Sequence, residues 1–140
     1  MSEVFDLLSY AKDKVQELTR TVEIKGASVD VKFVSMDAWR KVRRRVGQVQ
    51  GSNTAKEEAA IAAQRAELTK AVVGWRGMTR DVVAGLMPVD PVGLPDELPY
   101  HERNVQALLL HSGEFFNAIS AAADDLESFR EAQKSEARGN

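Results

Sequence analysis

Apolar residues recur along the chain with two different periods, and the switches between them mark the elements. Residues 3 to 18 place Val4, Leu8, Ala11, Val15 and Leu18 at spacings of four and three, with Phe5 and Leu7 beside them. This stripe predicts an amphipathic helix with Ser2 as its cap. The period then falls to two. Val22 and Ile24 alternate with charged residues, and Val29, Val31 and Phe33 do the same after Gly26. The pattern predicts a short β-hairpin with its turn over Lys25 to Ser28. Glu23 and Lys25 on one strand and Asp30 and Lys32 on the other fall on the off-core face, where opposite charges across the strands favour one register.

Ser35 is a natural N-cap for the next helix, with Asp37 near its positive end. Met36, Trp39, Val42, Val46 and Val49 follow three or four apart, so this helix is expected to end near Gly51. After a polar break at Gly51, Ser52 and Asn53, Thr54 can cap a second long helix. Its stripe is Ile61, Leu68, Val72 and Trp75, while Ala59, Ala62, Ala66 and Ala71 allow a neighbour to approach closely. Between Arg76 and Pro99 lie Pro88, Pro91, Pro95 and Pro99 with Gly77, Gly85 and Gly93, and Met87 to Pro99 reads as an ordered loop. Leu86, Val89, Val92, Leu94 and Leu98 would pin it across the core. A helix opening at His101 to Glu102 carries Val105, Leu108 and Leu109. A final helix from Glu114 buries Phe115 or Phe116, Ile119, Ala122 or Ala123, Leu126 and Phe129. The expected fold is mainly α (α+β): four to five helices with one small N-terminal β-hairpin, in a single globular domain over 1–130 with a frayed polar tail over 131–140.

Composition narrows the chemistry. At 140 residues the chain has the size of one domain. It has no cysteine, which removes disulfides, thiolate metal sites and cysteine nucleophiles. The N-terminus lacks a cationic region leading into an apolar run, and no stretch has the ~18 to 20 apolar residues that cross a bilayer, so a cytoplasmic setting without a membrane partner is expected. The net charge of −2 hides a split. Residues 1 to 80 carry 15 basic and 10 acidic side chains, whereas residues 81 to 140 carry 4 and 11. Such a dipole suits head-to-tail self-association.

Catalytic signals are sparse. His101 and His111 are ten positions apart, without the spacing of a helical zinc site. Asp124 and Asp125 are adjacent, so on a helix they point in different directions. Gly74-Trp75-Arg76-Gly77 lacks the Lys and Ser or Thr of a phosphate loop. No catalytic residue, metal site or cofactor is assigned, and a binding protein is expected rather than an enzyme. The conspicuous charge feature is Arg40, Lys41, Arg43, Arg44 and Arg45, five cations in six residues fanned around Val42. Such a helix can pair with acidic groups of its own fold or of a partner, or contact nucleic-acid phosphates as a small regulator would. The acidic overall balance and the lack of interleaved aromatics weigh against nucleic acid. Trp39 and Trp75 fall on stripes and are expected in the core. Of the adjacent Phe115 and Phe116 only one can face the core fully; Phe116 is the candidate exposed contact.

Two segments resemble a known family. Ala71-Val72-Val73-Gly74-Trp75-Arg76-Gly77-Met78, followed by Glu97-Leu98-Pro99-Tyr100-His101-Glu102-Arg103-Asn104 and Ala107-Leu108-Leu109, is similar to the tail assembly chaperones of long-tailed, non-contractile bacteriophages. There a Gly-Trp-x-Gly step closes a long helix and a Leu-Pro-aromatic step opens a short one. The resemblance implies structural roles for Gly74, Trp75, Gly77, Leu98, Pro99, Tyr100 and Asn104. It also implies a protein of the infected host's cytoplasm that binds the tape measure protein and keeps it soluble while the major tail protein polymerises around it. Such a protein is absent from the finished virion, and a longer form is often made by ribosomal frameshift.

Overall fold

The computed structural model describes residues 4–138. The hairpin forms where the period of two predicts it: β1 (Thr19–Ile24) and β2 (Ala27–Lys32) pair antiparallel, with Val22 opposite Val29 and Ile24 opposite Ala27. Lys25 and Gly26 make the turn with positive φ of 50° and 91°, the hand that matches the twist of the flanking strands. The off-core charges pair differently from expectation. Glu23 accepts from the Ser28 hydroxyl, while Asp30 accepts from Thr21 and pairs with Arg76 at 2.8 Å.

Arg76 can reach Asp30 because the hairpin does not stand alone. The expectation of a single hairpin with four to five helices is overturned: the described residues form seven α-helices and a three-stranded antiparallel sheet of order β1-β2-β3. The third strand, β3 (Val72–Arg76), occupies the segment read as the end of a long helix. That helix, α3 (Asn53–Ala71), stops where β-branched Val72 and Val73 precede Gly74. The free edge of β2 supplies backbone partners that a further turn of helix could not use. Trp75 is therefore a core residue on a strand, opposite Val29, and not part of a helical stripe.

Other boundaries shift for local reasons. Ser2, the expected first cap, lies outside the described residues, as do Gly139 and Asn140 of the expected tail. The first helix is only α1 (Leu7–Lys14), capped by Asp6, which accepts from the Ser9 N–H. Ser35 caps α2 (Met36–Gly47) as expected, but the helix ends at Gly47. Ser52, not Thr54, caps α3, whose Ile61 stays half exposed while Leu68, Thr69 and Ala71 at its far end are buried. Just before the region read as loop, Thr79 caps α4 (Arg80–Leu86), which no expected helix covers: it is too short to display a period but buries Val83 and Leu86. A 3-10 turn at Pro91–Gly93 follows, then α5 (Glu102–His111), with His101 as its cap through Nδ1.

The single final helix is in fact two. α6 (Gly113–Ala123) stops at Asp124, and Asp125 caps α7 (Leu126–Ala137) by accepting from the Ser128 N–H. Helix α7 is continuous through Ala137, past the expected boundary at residue 130. The core lies between one face of the sheet and the helices. Val29, Val31, Leu68, Val72, Met78, Val105, Leu108, Phe115, Ile119 and Phe129 are fully buried there. Burial of side chains of this size contributes about 1.5–3 kcal/mol each. Arg20 of β1 lies 5.2 Å over the Phe129 ring and ties α7 to the sheet.

Candidate protein-binding site

Three regions of the surface bear on function. The first joins the two segments that carry the family resemblance. The Trp75 indole N–H donates to the Leu98 carbonyl at 2.9 Å, and the Tyr100 hydroxyl donates to the Val72 carbonyl at 2.9 Å. The two rings meet edge to face at 5.5 Å. The Leu98 N–H donates to the Met78 carbonyl, and the Gly77 N–H donates to the Glu97 carboxylate at 3.0 Å. Gly77 has φ of 70°, which favours glycine. A Cβ on Gly74 would come within 3.3 Å of the Asp30 carboxylate. Asn104 donates its side-chain amide to the Pro99 carbonyl and ties the start of α5 to the loop. Segments twenty or more positions apart thus form one latch, with its buried polar atoms satisfied. It is a scaffold: Trp75 is buried, and the ring of Phe115 packs against it at 6.5 Å.

The second region is the basic helix α2. Ser35 and the stripe through Val42 fix its rotation, which turns the cations outward. Arg40 and Lys41 both pair with Asp37, one turn back. Arg40 first, and then Lys41, hold the Asp37 carboxyl below the usual carboxylate range. Arg45 faces Glu67 of α3 at 3.9 Å. Three of the five cations therefore already face carboxylates of their own fold. Among the described residues Arg43 and Arg44 have no ion-pair partner. Arg43 lines an open groove of about 400 Å³ floored by Val42, Val46 and Ala60. Trp39 is half-buried at its side, with the indole N–H held by Asp124 at 2.6 Å. Phe116, the expected exposed contact, is half-buried and packs against the core, so the structure does not bring it to this groove.

The third region is one that periodicity alone could not identify. Helix α1 buries no residue: Val4, Leu8 and Val15 are 92, 76 and 75% exposed, and Phe5 and Leu7 also face solvent. Only Leu8 and Ala11 of the predicted stripe fall on the helix itself; Val4 precedes it, Val15 is its extended C-cap and Leu18 is buried in the core, while among the described residues Val4, Leu8 and Val15 stay uncovered. Beside it runs a groove of about 670 Å³, with Val15, Leu18, Phe33, Val34, Ala38 and Leu126 among its lining residues. Its rim carries Lys14, Lys32, Lys70 and Arg130 against Glu17 and Glu67, an excess of positive charge. A stripe that is buried and one that stays exposed look the same in one sequence.

Among the described residues no group of three or more His, Asp or Glu is placed to hold a metal ion, and no helix is long and apolar enough to cross a membrane. No curated protein and no solved structure matches the chain. A family model does, over residues 27–140, which take in the sheet from β2 onward, the latch, the basic helix and all the helices after α1. With most of its length so matched, the chain belongs to the YdaY prophage protein family and is a phage-related protein.

Proposed function

We propose that this prophage protein is a tail assembly chaperone: it binds the tape measure protein, keeps it soluble while the major tail protein polymerises, and acts in the cytoplasm of the infected host. The observation that carries this reading is the run of exposed apolar residues on and around α1, namely Val4, Phe5, Leu7, Leu8 and Val15, beside a groove with apolar lining. A chaperone of this kind needs no reacting group. It needs apolar surface that a client helix can cover, and exposed side chains such as Leu8 and Val15 each have about 1.5–3 kcal/mol to gain on burial. The positive rim of the groove favours an amphipathic client helix with acidic residues flanking its apolar stripe. The resemblance of the latch segments to tail assembly chaperones supports the same role. So does membership of a prophage family.

The test is co-expression of this chain with the tape measure protein of the same prophage. The client is expected to remain soluble and to co-purify with the chain, and to aggregate when Leu8 and Val15 are replaced by Asp. A client that stays insoluble beside the wild-type chain would overturn the proposal.

A further inference from the structure

The groove beside Arg43 and the 3-10 turn at Pro91–Gly93 lie at opposite ends of the sheet. Strands β2 and β3 are antiparallel, with Ser28 opposite Arg76 and Val31 opposite Val72. Helix α2 leaves from the C-terminal end of β2, whereas α4 leaves from the C-terminal end of β3, beside the β1–β2 turn. A Cβ on Gly85 of α4 would lie 3.5 Å from the Lys25 side chain. A strand of six residues spans roughly 20 Å, so the two surfaces are held apart within one chain.

Their chemistry is complementary. The α2–α3 groove has an apolar floor of Val42, Val46 and Ala60, and at its rim is Arg43, with Arg44 next to it in the chain; neither arginine has an ion-pair partner among the described residues. The far end presents Val92 on the tip of the 3-10 turn, 83% exposed, with Asp90 two residues before it and Asp81 in the first turn of α4. Asp90 uses one carboxylate oxygen to accept from the Val92 N–H, which sets the tip's shape. Among the described residues neither Asp81 nor Asp90 has a cationic partner.

The geometry points to a second copy of this chain as the occupant of the groove. Val92 of one copy seats on Val42 and Val46 of the next, and Asp90 and Asp81 face Arg43 and Arg44. The two faces differ and lie at opposite ends, so the contact is head-to-tail and repeats into an open row of copies instead of closing as a two-fold dimer. Both faces lie within residues 27–140 and neither involves α1, so the row does not depend on what α1 binds.

Sedimentation velocity of the whole protein over a concentration series tests this. Wild type is expected to form a growing series of oligomers at low salt that shrinks as salt is raised. Arg43→Glu with Arg44→Glu, and separately Asp81→Arg with Asp90→Arg, should each weaken assembly by about tenfold or more, since like charges then meet. Mixing the two variants should restore it, because each reversed face then meets an opposite one. Val92→Ser, at an exposed tip with little bearing on folding, should weaken assembly without changing its salt dependence. A monomeric wild type at low salt, unchanged assembly in either reversed variant, or a mixture that stays monomeric while both variants keep the wild-type circular dichroism spectrum would overturn the proposal.

Discussion

Helix α1 and the Trp75–Tyr100 latch are both rich in large apolar side chains, and the structure treats them in opposite ways. In the latch Trp75 is buried and both aromatic polar atoms are hydrogen-bonded to backbone carbonyls twenty or more residues away. In α1 the apolar side chains face water, and no buried residue holds the helix to the domain. Apolar content therefore does not distinguish buried scaffold from exposed surface here; what does is whether the polar atoms nearby have been given partners inside the fold. The largest effect that contrast predicts is at the latch. Trp75→Ala should cost about 3–5 kcal/mol, through a cavity beside Phe115 and an unpaired Leu98 carbonyl. Chemical denaturation reads this directly, and a loss below about 1 kcal/mol would show that the latch is not part of the core.

The same contrast explains what could be read in advance. The hairpin was legible because Val22, Ile24, Val29 and Val31 alternate strictly around a two-residue turn, and a one-residue slip would turn them all outward. The Ser35 cap was legible because capping is local. The third strand was not: Val72 to Trp75 continues a helical spacing from Leu68, and only the open edge of β2, distant in sequence, decides against it. Helix α4 was hidden by its seven residues, and the break at Asp124 by a spacing that carries on from Ile119 to Leu126. The latch residues were recognised as a set, but with Trp75 placed on the wrong kind of element. The arginines were found, yet which of them lack partners depends on Asp37 and Glu67, and that requires the folded arrangement.

A smaller effect comes from the ion pair at the outer edge of the sheet, on the strand that also bears Trp75. The Arg76 guanidinium, through its hydrogen bonds, holds the Asp30 carboxyl below its ordinary range, and Thr21 adds to this against the opposing effect of burial. A carboxyl whose folded pKa lies below its unfolded value contributes stability that is present above the unfolded value and lost as pH falls through the folded one. The window therefore lies below about pH 4. Asp30→Asn should flatten the acid limb of stability: between pH 5 and pH 2 its urea midpoint should fall less than that of wild type. Parallel acid limbs would show that the pair adds nothing, as happens for many exposed pairs.

The smallest expected effect is the sharpest, because it concerns residues that would be destabilising to change almost anywhere else. Leu8→Asp with Val15→Asp puts two charges on the most regular apolar stripe at the N-terminal end. Were that stripe packed in a core, each charge would be buried without a partner, at a cost of several kcal/mol. Leu8 on α1 and Val15 at its C-cap already face water, and what fixes the segment to the domain lies after them, where Gln16 accepts from Arg130, Glu17 pairs with Lys32 and Leu18 is buried. The double substitution should therefore change the urea midpoint by less than about 0.5 kcal/mol equivalent, the usual range for surface positions. Asp is a weaker helix former than Leu, so a small loss of helical circular dichroism is expected without a change in the cooperative transition. A global loss above about 2 kcal/mol would mean that α1 folds down onto the groove beside Phe33 and Leu126 in solution. The contrast between buried scaffold and exposed surface would then fail at this helix. Unchanged stability together with loss of client solubilisation would instead separate binding from folding at these two positions.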